Sequence, residues 1–274
     1  MAGRDISSLN KWYLGGWIAT ILLSFLQYGW QQGVWNVLQI PYATRYSWTK
    51  QNGLLAWHTA LLSTVYETGA MIGALTGGYF VKYGKWNCIM MCNVLAGIGY
   101  FFTILIEIWA IYIGRTLLGL AIGGYCVFVP KFVNEITPTK YSGPIGAISQ
   151  LSICFAIWLP AIGGIIVDIT SKNLPTSFFI TMWAIPAAFL LLQVILLLTV
   201  FRDPSPFEVA TNNAYLTKVV SKLYSNPKEI DYIKDHIIEE AAKTEEDDPT
   251  YRQIFCDRKY RGVTWFCIGF GIFQ

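Results

Sequence analysis

The chain has 274 residues, 54% of them hydrophobic and only 14% charged. Soluble domains carry about 25% charged residues, so this composition excludes a water-soluble globule. The formal net charge of +3 is too small to point to a nucleic-acid partner.

A bilayer-crossing helix takes about 20 mostly apolar residues. Met1 to Lys11 is polar and leads into a span too long for a signal core, so no cleavable signal is expected. Six stretches then qualify in chain order: Leu14–Gln39, Leu54–Val81, Cys88–Ile106, Trp109–Val133, Ile145–Val167 and Ser177–Phe201. The 11 tryptophans suit such a protein, because an indole satisfies both sides of the membrane–water boundary. Between the sixth span and Arg261, Ile230, Ile233 and Ile237 repeat at helical spacing. Asn226-Pro227 marks the start of that helix and the acidic run Glu245–Asp248 before Pro249 its end. Val263 to Gln274 reads as the beginning of a seventh span. A chain end in mid-membrane leaves carbonyls unpaired in lipid. The expectation is therefore a truncated chain, or a half-protein whose last helix a partner covers.

The fold class that follows is all-α integral membrane, in three parts. Residues 1–201 form a six-helix unit, 202–262 an intracellular helical segment, and 263–274 the seventh-span start. Arg4, Lys11, Lys82, Lys85, Lys131 and Lys140 fall on one side, and Arg45, Lys50 and Lys172 on the other. This bias places the N-terminus and the segment Arg202–Arg261 in the cytosol, or in the matrix of a mitochondrion.

Gly69, Gly73 and Gly77 in the second span, and Gly119 and Gly123 in the fourth, make stripes that admit close helix packing. Cys88 and Cys92 share a helix face, but no third ligand is near, so no metal site is expected. No disulfide framework, phosphate loop or nucleophile–base motif is present, and His58 and His236 are the only histidines. Neither an enzyme nor a cofactor is expected. Charges inside the membrane are costly, so Arg115 and Glu135, taken to lie near the inner end of the fourth span, read as a clamp or a gate latch. Glu67 lies thirteen residues after Leu54, about 20 Å into the bilayer. It reads as protonated or hydrogen-bonded, with proton coupling as the alternative. His58 and Trp57 read as anchors at the outer boundary.

Several blocks resemble the sugar porter branch of the major facilitator superfamily, most closely its facilitative hexose transporters. Gly29-Trp30-Gln31-Gln32-Gly33-Val34 is similar to that family's Gly-Tyr-(Asn/Asp)-Thr-Gly-Val. Gly114-Arg115-Thr116-Leu117-Leu118-Gly119, then Val129-Pro130 and Glu135-Ile136-Thr137-Pro138, match its fourth span. Ser149-Gln150-Leu151 matches its fifth, and Gly271-Ile272-Phe273-Gln274 stops where a Gln-Leu-Ser-Gly block would continue. The resemblance implies the N-terminal half of a two-half transporter, built of inverted 3+3 repeats, with sugar bound at the midplane between halves. It implies Gln31, Gln150 and Gln274 as sugar-contacting residues. Gln31 stands where proton-coupled members carry Asp and facilitators Asn. An amide cannot cycle a proton near neutral pH, so passive facilitation is implied.

Departures accompany the match. The loop between spans two and three is Lys82-Tyr83-Gly84-Lys85-Trp86, without the family's Arg residues. Asp203-Pro204-Ser205-Pro206-Phe207 replaces Pro-Glu-Ser-Pro-Arg, and Ser142-Gly143 replaces Arg-Gly. Two functions follow: a facilitative hexose-type transporter or its half, and a degenerate half kept as a structural subunit of a membrane complex. Its partners are a sugar if it transports, the lipid bilayer, and a second half, a second copy or other membrane subunits.

Overall fold

The computed structural model describes residues 9–48, 53–167, 174–210 and 212–246, with 253, 257, 261, 262, 264 and 265 beyond them. Gln274, and the seventh-span start apart from residues 264 and 265, lie outside the described residues.

Six long helices form the bundle: α1 (Lys11–Arg45), α2 (Leu54–Phe80), α3 (Lys85–Ile104), α4 (Ile108–Ile136), α5 (Thr139–Val167) and α6 (Thr176–Thr199). Each contains one predicted span, with ends that differ by a few residues. By length and apolarity alone, four described helices are able to cross a membrane: α3, α4, α5 and α6. α1 and α2, at 35 and 27 residues, are long enough but are broken up by Gln27, Gln31, Gln32 and Asn36, and by His58, Ser63 and Glu67.

Two further helices follow, α7 (Asn213–Leu223) and α8 (Pro227–Glu246). Asn212 caps α7 by accepting from the Tyr215 N–H. The sequence expectation in this segment centred on Ile230, Ile233 and Ile237 and omitted α7, although Leu216, Val219, Val220 and Leu223 repeat at helical spacing and are all buried. In α8 the predicted stripe is confirmed: Ile233 and Ile237 are buried, and Pro227 stands at the first helical position. The chain before α1 touches this segment, since the Asn10 N–H donates to the Leu223 carbonyl at 2.8 Å. Residues 9 and 10 and α7 thus share one end of the bundle, called here the α7 end.

Pairing of the long helices is reciprocal. α1 packs chiefly on α5 and α6, while α4 packs chiefly on α2 and α3. Glycine sets both main contacts. A Cβ at Gly119 would sit 2.2 Å from the Tyr66 carbonyl oxygen, and one at Gly123 2.0 Å from that of Ala70. The predicted stripes of α2 and α4 therefore face one another. A third stripe, Gly29 and Gly33 of α1, meets Ile153 and Ile157 of α5 in the same way, at 2.2 and 2.3 Å.

Buried polar side chains tie the layers further. Gln27 donates to Gln193 at 2.9 Å, and Gln193 to Ser24 at 2.7 Å, joining α1 to α6. Tyr125 donates to Asn93 at 2.6 Å between α4 and α3. At the end opposite α7, Trp48 stacks on His58 with centroids 4.5 Å apart, and His58 Nδ1 lies 2.9 Å from the Tyr112 hydroxyl.

Gly123→Val forces the α2 backbone away from α4, because the contact is with main-chain atoms. The expected loss is about 1–3 kcal/mol, read as a lower thermal midpoint in detergent. Gly97→Ala should leave the midpoint unchanged, since its Cβ meets only the flexible end of Leu190 at 3.4 Å. Equal loss in both variants would refute the packing account.

Candidate functional site

One face of the bundle is polar at mid-depth. On α1, Tyr28, Gln32 and Asn36 recur every four residues and so line one side of the helix. Gln32 Nε2 donates to Glu67 Oε1 of α2 at 3.0 Å. Glu67 is exposed, and so is Gln150 of α5, the helix that packs beside α1. A carboxylate and two amides thus lie on one side of the bundle, from three helices, and in a bilayer such groups would meet hydrocarbon. That placement is costly unless a polar cavity or a covering protein surface receives them.

The predicted sugar-contacting pair is divided. Gln31 is fully buried, and its carboxamide makes no hydrogen bond of good geometry, with the Tyr100 hydroxyl its polar neighbour. Gln150 lies on the open side. The contacts Gly29–Ile153 and Gly33–Ile157 put α1 and α5 in parallel register. In that register Gln150 lies level with residue 26, about 7 Å along the axis from Gln31. The open position on α1 belongs instead to Gln32. Consecutive glutamines lie about 100° apart on a helix, so the sequence alone does not say which of them faces the cavity.

Arg115 corrects a sequence expectation. It lies seven residues into α4, at the end opposite α7, and Glu135 lies 20 residues further on. At 1.5 Å per residue they are about 30 Å apart, so they cannot pair. Arg115 is instead held by a backbone carbonyl and two aromatic rings. Its Nε donates to the Leu62 carbonyl at 3.0 Å, and its guanidinium lies 4.8 Å from the Trp35 ring centroid and 4.9 Å from that of Tyr66. Aromatic faces stabilise a desolvated cation, and guanidinium is the cation best suited to them.

Glu135 has a different partner. Lys85 Nζ, at the start of α3, lies 2.9 Å from Glu135 and 3.7 Å from Glu208. The backbone N–H of Lys85 donates to Glu208 at 2.5 Å, and the Ser205 hydroxyl donates to Glu135 at 2.5 Å. Lys222 of α7 pairs with Asp203 beside them. Gly84 makes the approach feasible. It holds φ at +92°, and a Cβ there would stand 3.1 Å from Glu208 Oε2. The loop that lacks the family's Arg residues thus holds a charge cluster, with Lys85 as its cation and Glu208, one residue past Phe207, as an anion. Burial raises the Glu208 carboxyl above its ordinary 4.5; hydrogen bonds and charge from Lys85 oppose the shift, and the charge of Glu135 adds to it. The sequence signal for Glu208 was weak, because it lies outside the aligned motif, whose own Glu position is occupied by Pro204.

Comparisons with known proteins agree with this architecture. The family model described as "Sugar (and other) transporter" matches residues 17–274, and the chain belongs to that family. Its similarity to the "Hexose transporter 1" of Plasmodium yoelii yoelii is 27% identity over 255 residues, covering 83% of this chain and 49% of the relative. Its similarity to the "Solute carrier family 2, facilitated glucose transporter member 3" of Rattus norvegicus is 26% over 260 residues, covering 89% and 51%. The chain therefore spans about half the length of these curated relatives. Among solved structures, the proton:xylose symporter XylE bound to 6-bromo-6-deoxy-D-glucose superposes with a TM-score of 0.77 at 17% identity, over 90% of this chain and 56% of that one. The inward-open XylE from E. coli gives 0.67 at 18%, over 86% and 57%. The fold is that of the major facilitator superfamily, a multi-pass integral membrane protein, and the family is one of transporters rather than enzymes.

Lys85→Ala should lower the thermal midpoint, because it leaves two half-buried carboxylates face to face. The expected loss is about 1.5–3 kcal/mol, and Lys85→Arg should restore most of it. The pH sign is opposite to that of an ordinary surface carboxylate. A raised Glu208 favours the protonated folded state, so its contribution is greatest in acid and falls as pH rises past its folded value. Lys85→Ala removes the opposing cation, so the variant should gain more stability than the parent between pH 7 and pH 5. Identical pH profiles of thermal unfolding would contradict this assignment.

Proposed function

We propose that this chain supplies one six-helix half of a sugar transporter, and that the polar face of α1, α2 and α5 is its share of the substrate pathway. The observation that carries the reading is the exposure of Glu67 and Gln150 at mid-depth. Amide and carboxylate groups there offer donors and acceptors to neighbouring sugar hydroxyls. The names of the relatives, hexose and facilitated glucose transporters, support a hexose-type substrate.

The reciprocal pairing of α1 with α5 and α6, and of α4 with α2 and α3, supports six spans arranged as two inverted three-helix repeats. On this reading residues 1–201 are the transporter half, 202–262 an intracellular segment, and 263–274 the entry into a seventh span. The lysine and arginine bias supports a cytosolic or matrix location for the α7 end. Gln31 in place of an acid supports facilitation over proton symport. The Lys85–Glu135–Glu208 cluster supports a working gate, because a bistable carrier needs latches that form and break. That cluster weakens the alternative of a degenerate structural subunit. The role of Gln274 as a sugar contact stays part of the proposal.

A face of this polarity needs a cover. The 274-residue chain reconstituted alone should show no sugar flux, and flux should appear when a second six-helix half is supplied. In that assembly Gln150→Ala should weaken hexose uptake about two- to tenfold, the value of one hydrogen bond, without a change in thermal midpoint. Active flux from the chain alone, or unchanged uptake with Gln150→Ala, overturns the assignment. A protonophore should leave equilibrative uptake intact; its collapse would instead point to Glu67 as a proton carrier.

A further inference from the structure

A second feature of the bundle lies away from the polar face. α2, α3 and α4 enclose a groove of about 640 Å³ that opens sideways from the bundle. Its wall is almost wholly apolar, and Met91, Val94 and Ile98 of α3 stand 53%, 62% and 46% exposed along its rim. Thr76 lines it too, but its hydroxyl is spent on the Ile72 carbonyl of its own helix at 2.8 Å. Such a surface offers little to a sugar.

The dimensions point to lipid. On α3 the lining runs from Asn87 to Ile98, about 16 Å along the helix axis. The hydrocarbon core of a bilayer is about 30 Å thick, so the groove has the depth of one leaflet. At the α7 end, Asn87 also lines a polar recess with Lys82, Tyr83 and Glu208. Lys85 holds Glu208 there, whereas Lys82 is exposed, with its ammonium 5.1 Å from the Tyr83 ring centroid. An apolar trough one leaflet deep thus meets an exposed cation at headgroup level.

We propose that this groove is a binding site for one acyl chain of a phospholipid whose phosphate lies against Lys82. The lipid would fill the gap between α2 and α3, over Leu120, Gly124 and Phe128 of α4. It would also seat beside the turn that carries Lys85, so its presence would bear on the charge cluster. The proposal rests on the membrane fold and not on the identity of the transported solute.

The test is native mass spectrometry of the 274-residue chain in mild detergent, titrated with dioleoyl phosphatidylglycerol. The parent chain should retain one lipid tightly. Leu95→Trp and Met91→Trp fill the groove from its half-buried wall and its rim, and either should weaken retention about tenfold, by steric exclusion of a whole chain. Lys82→Gln should weaken it about fivefold, the value of one basic side chain near an anionic headgroup. Ile180→Trp, on the exposed side of α6, should change nothing. Circular dichroism checks that each variant keeps its helices, and the two groove variants cover one another if one misfolds. Equal retention in the parent and both groove variants overturns the proposal. So does equal weakening by Ile180→Trp, or a dimer that covers the groove and resists added lipid. Binding of oleate as tight as that of the phospholipid, with the same Lys82 dependence, overturns the phospholipid assignment.

Discussion

The contact between helix backbones at glycine is the constraint on which the rest of this structure depends. In a bilayer, lipid tails are as apolar as leucine, so burial of apolar surface gives helices little reason to associate. Close packing and interhelical polar contacts must do that work. The α2–α4 pair closes on Gly69, Gly73, Gly119 and Gly123, and the α1–α5 pair on Gly29 and Gly33. Once those two pairs are fixed, the other placements follow. The Leu62 carbonyl comes within reach of Arg115, Gln32 meets Glu67, and Gln150 is left on the open side of α5.

The bundle sorts its polar groups into two kinds. Gln27, Gln193, Ser24, Asn93 and Tyr125 are buried and bonded to one another, and they hold helices together. Gln32, Asn36, Glu67 and Gln150 lie on one side, where Gln32 and Glu67 bond to each other. Gln31 and Arg115 belong to neither group. Gln31 is buried without a good partner, and Arg115 is a buried cation between two aromatic rings, with one of its guanidinium nitrogens unbonded. Groups held in this way keep an unmet need for a partner, a common property of sites that change state.

At the α7 end one lysine lies between two carboxylates. Arg presents a planar fork that suits one carboxylate at two points, whereas Lys carries a compact charge on a flexible stem. Lys85 accordingly sits between two carboxylates, at 2.9 and 3.7 Å. Glu208 supplements this by accepting the backbone N–H of the same residue, which ties the start of α3 to the turn after α6. A contact of this type breaks when either segment moves by a few ångströms. The same region adjoins the apolar groove between α2 and α3, so helix movement there would alter both.

The amino-acid sequence places the chain in a membrane, because so low a charge content cannot coat a soluble surface. It also determined the six long helices, α8, the glycine stripes of α2 and α4, and the family, since each rests on local composition, spacing or contiguous motif. Only the tertiary structure decided which polar residues face one another. Gln31 and Gln32 differ by a rotation that the sequence does not reveal. Arg115 and Glu135 share a helix yet lie at opposite ends of it, so motif membership misled where axial distance settled the question. Lys85 and Glu208 are 123 positions apart, and their pairing depends on how α3 and the turn after α6 come together. Interactions between neighbours in the chain are legible in the sequence. Those that close a long loop are set by packing, which decides which distant groups come within a few ångströms.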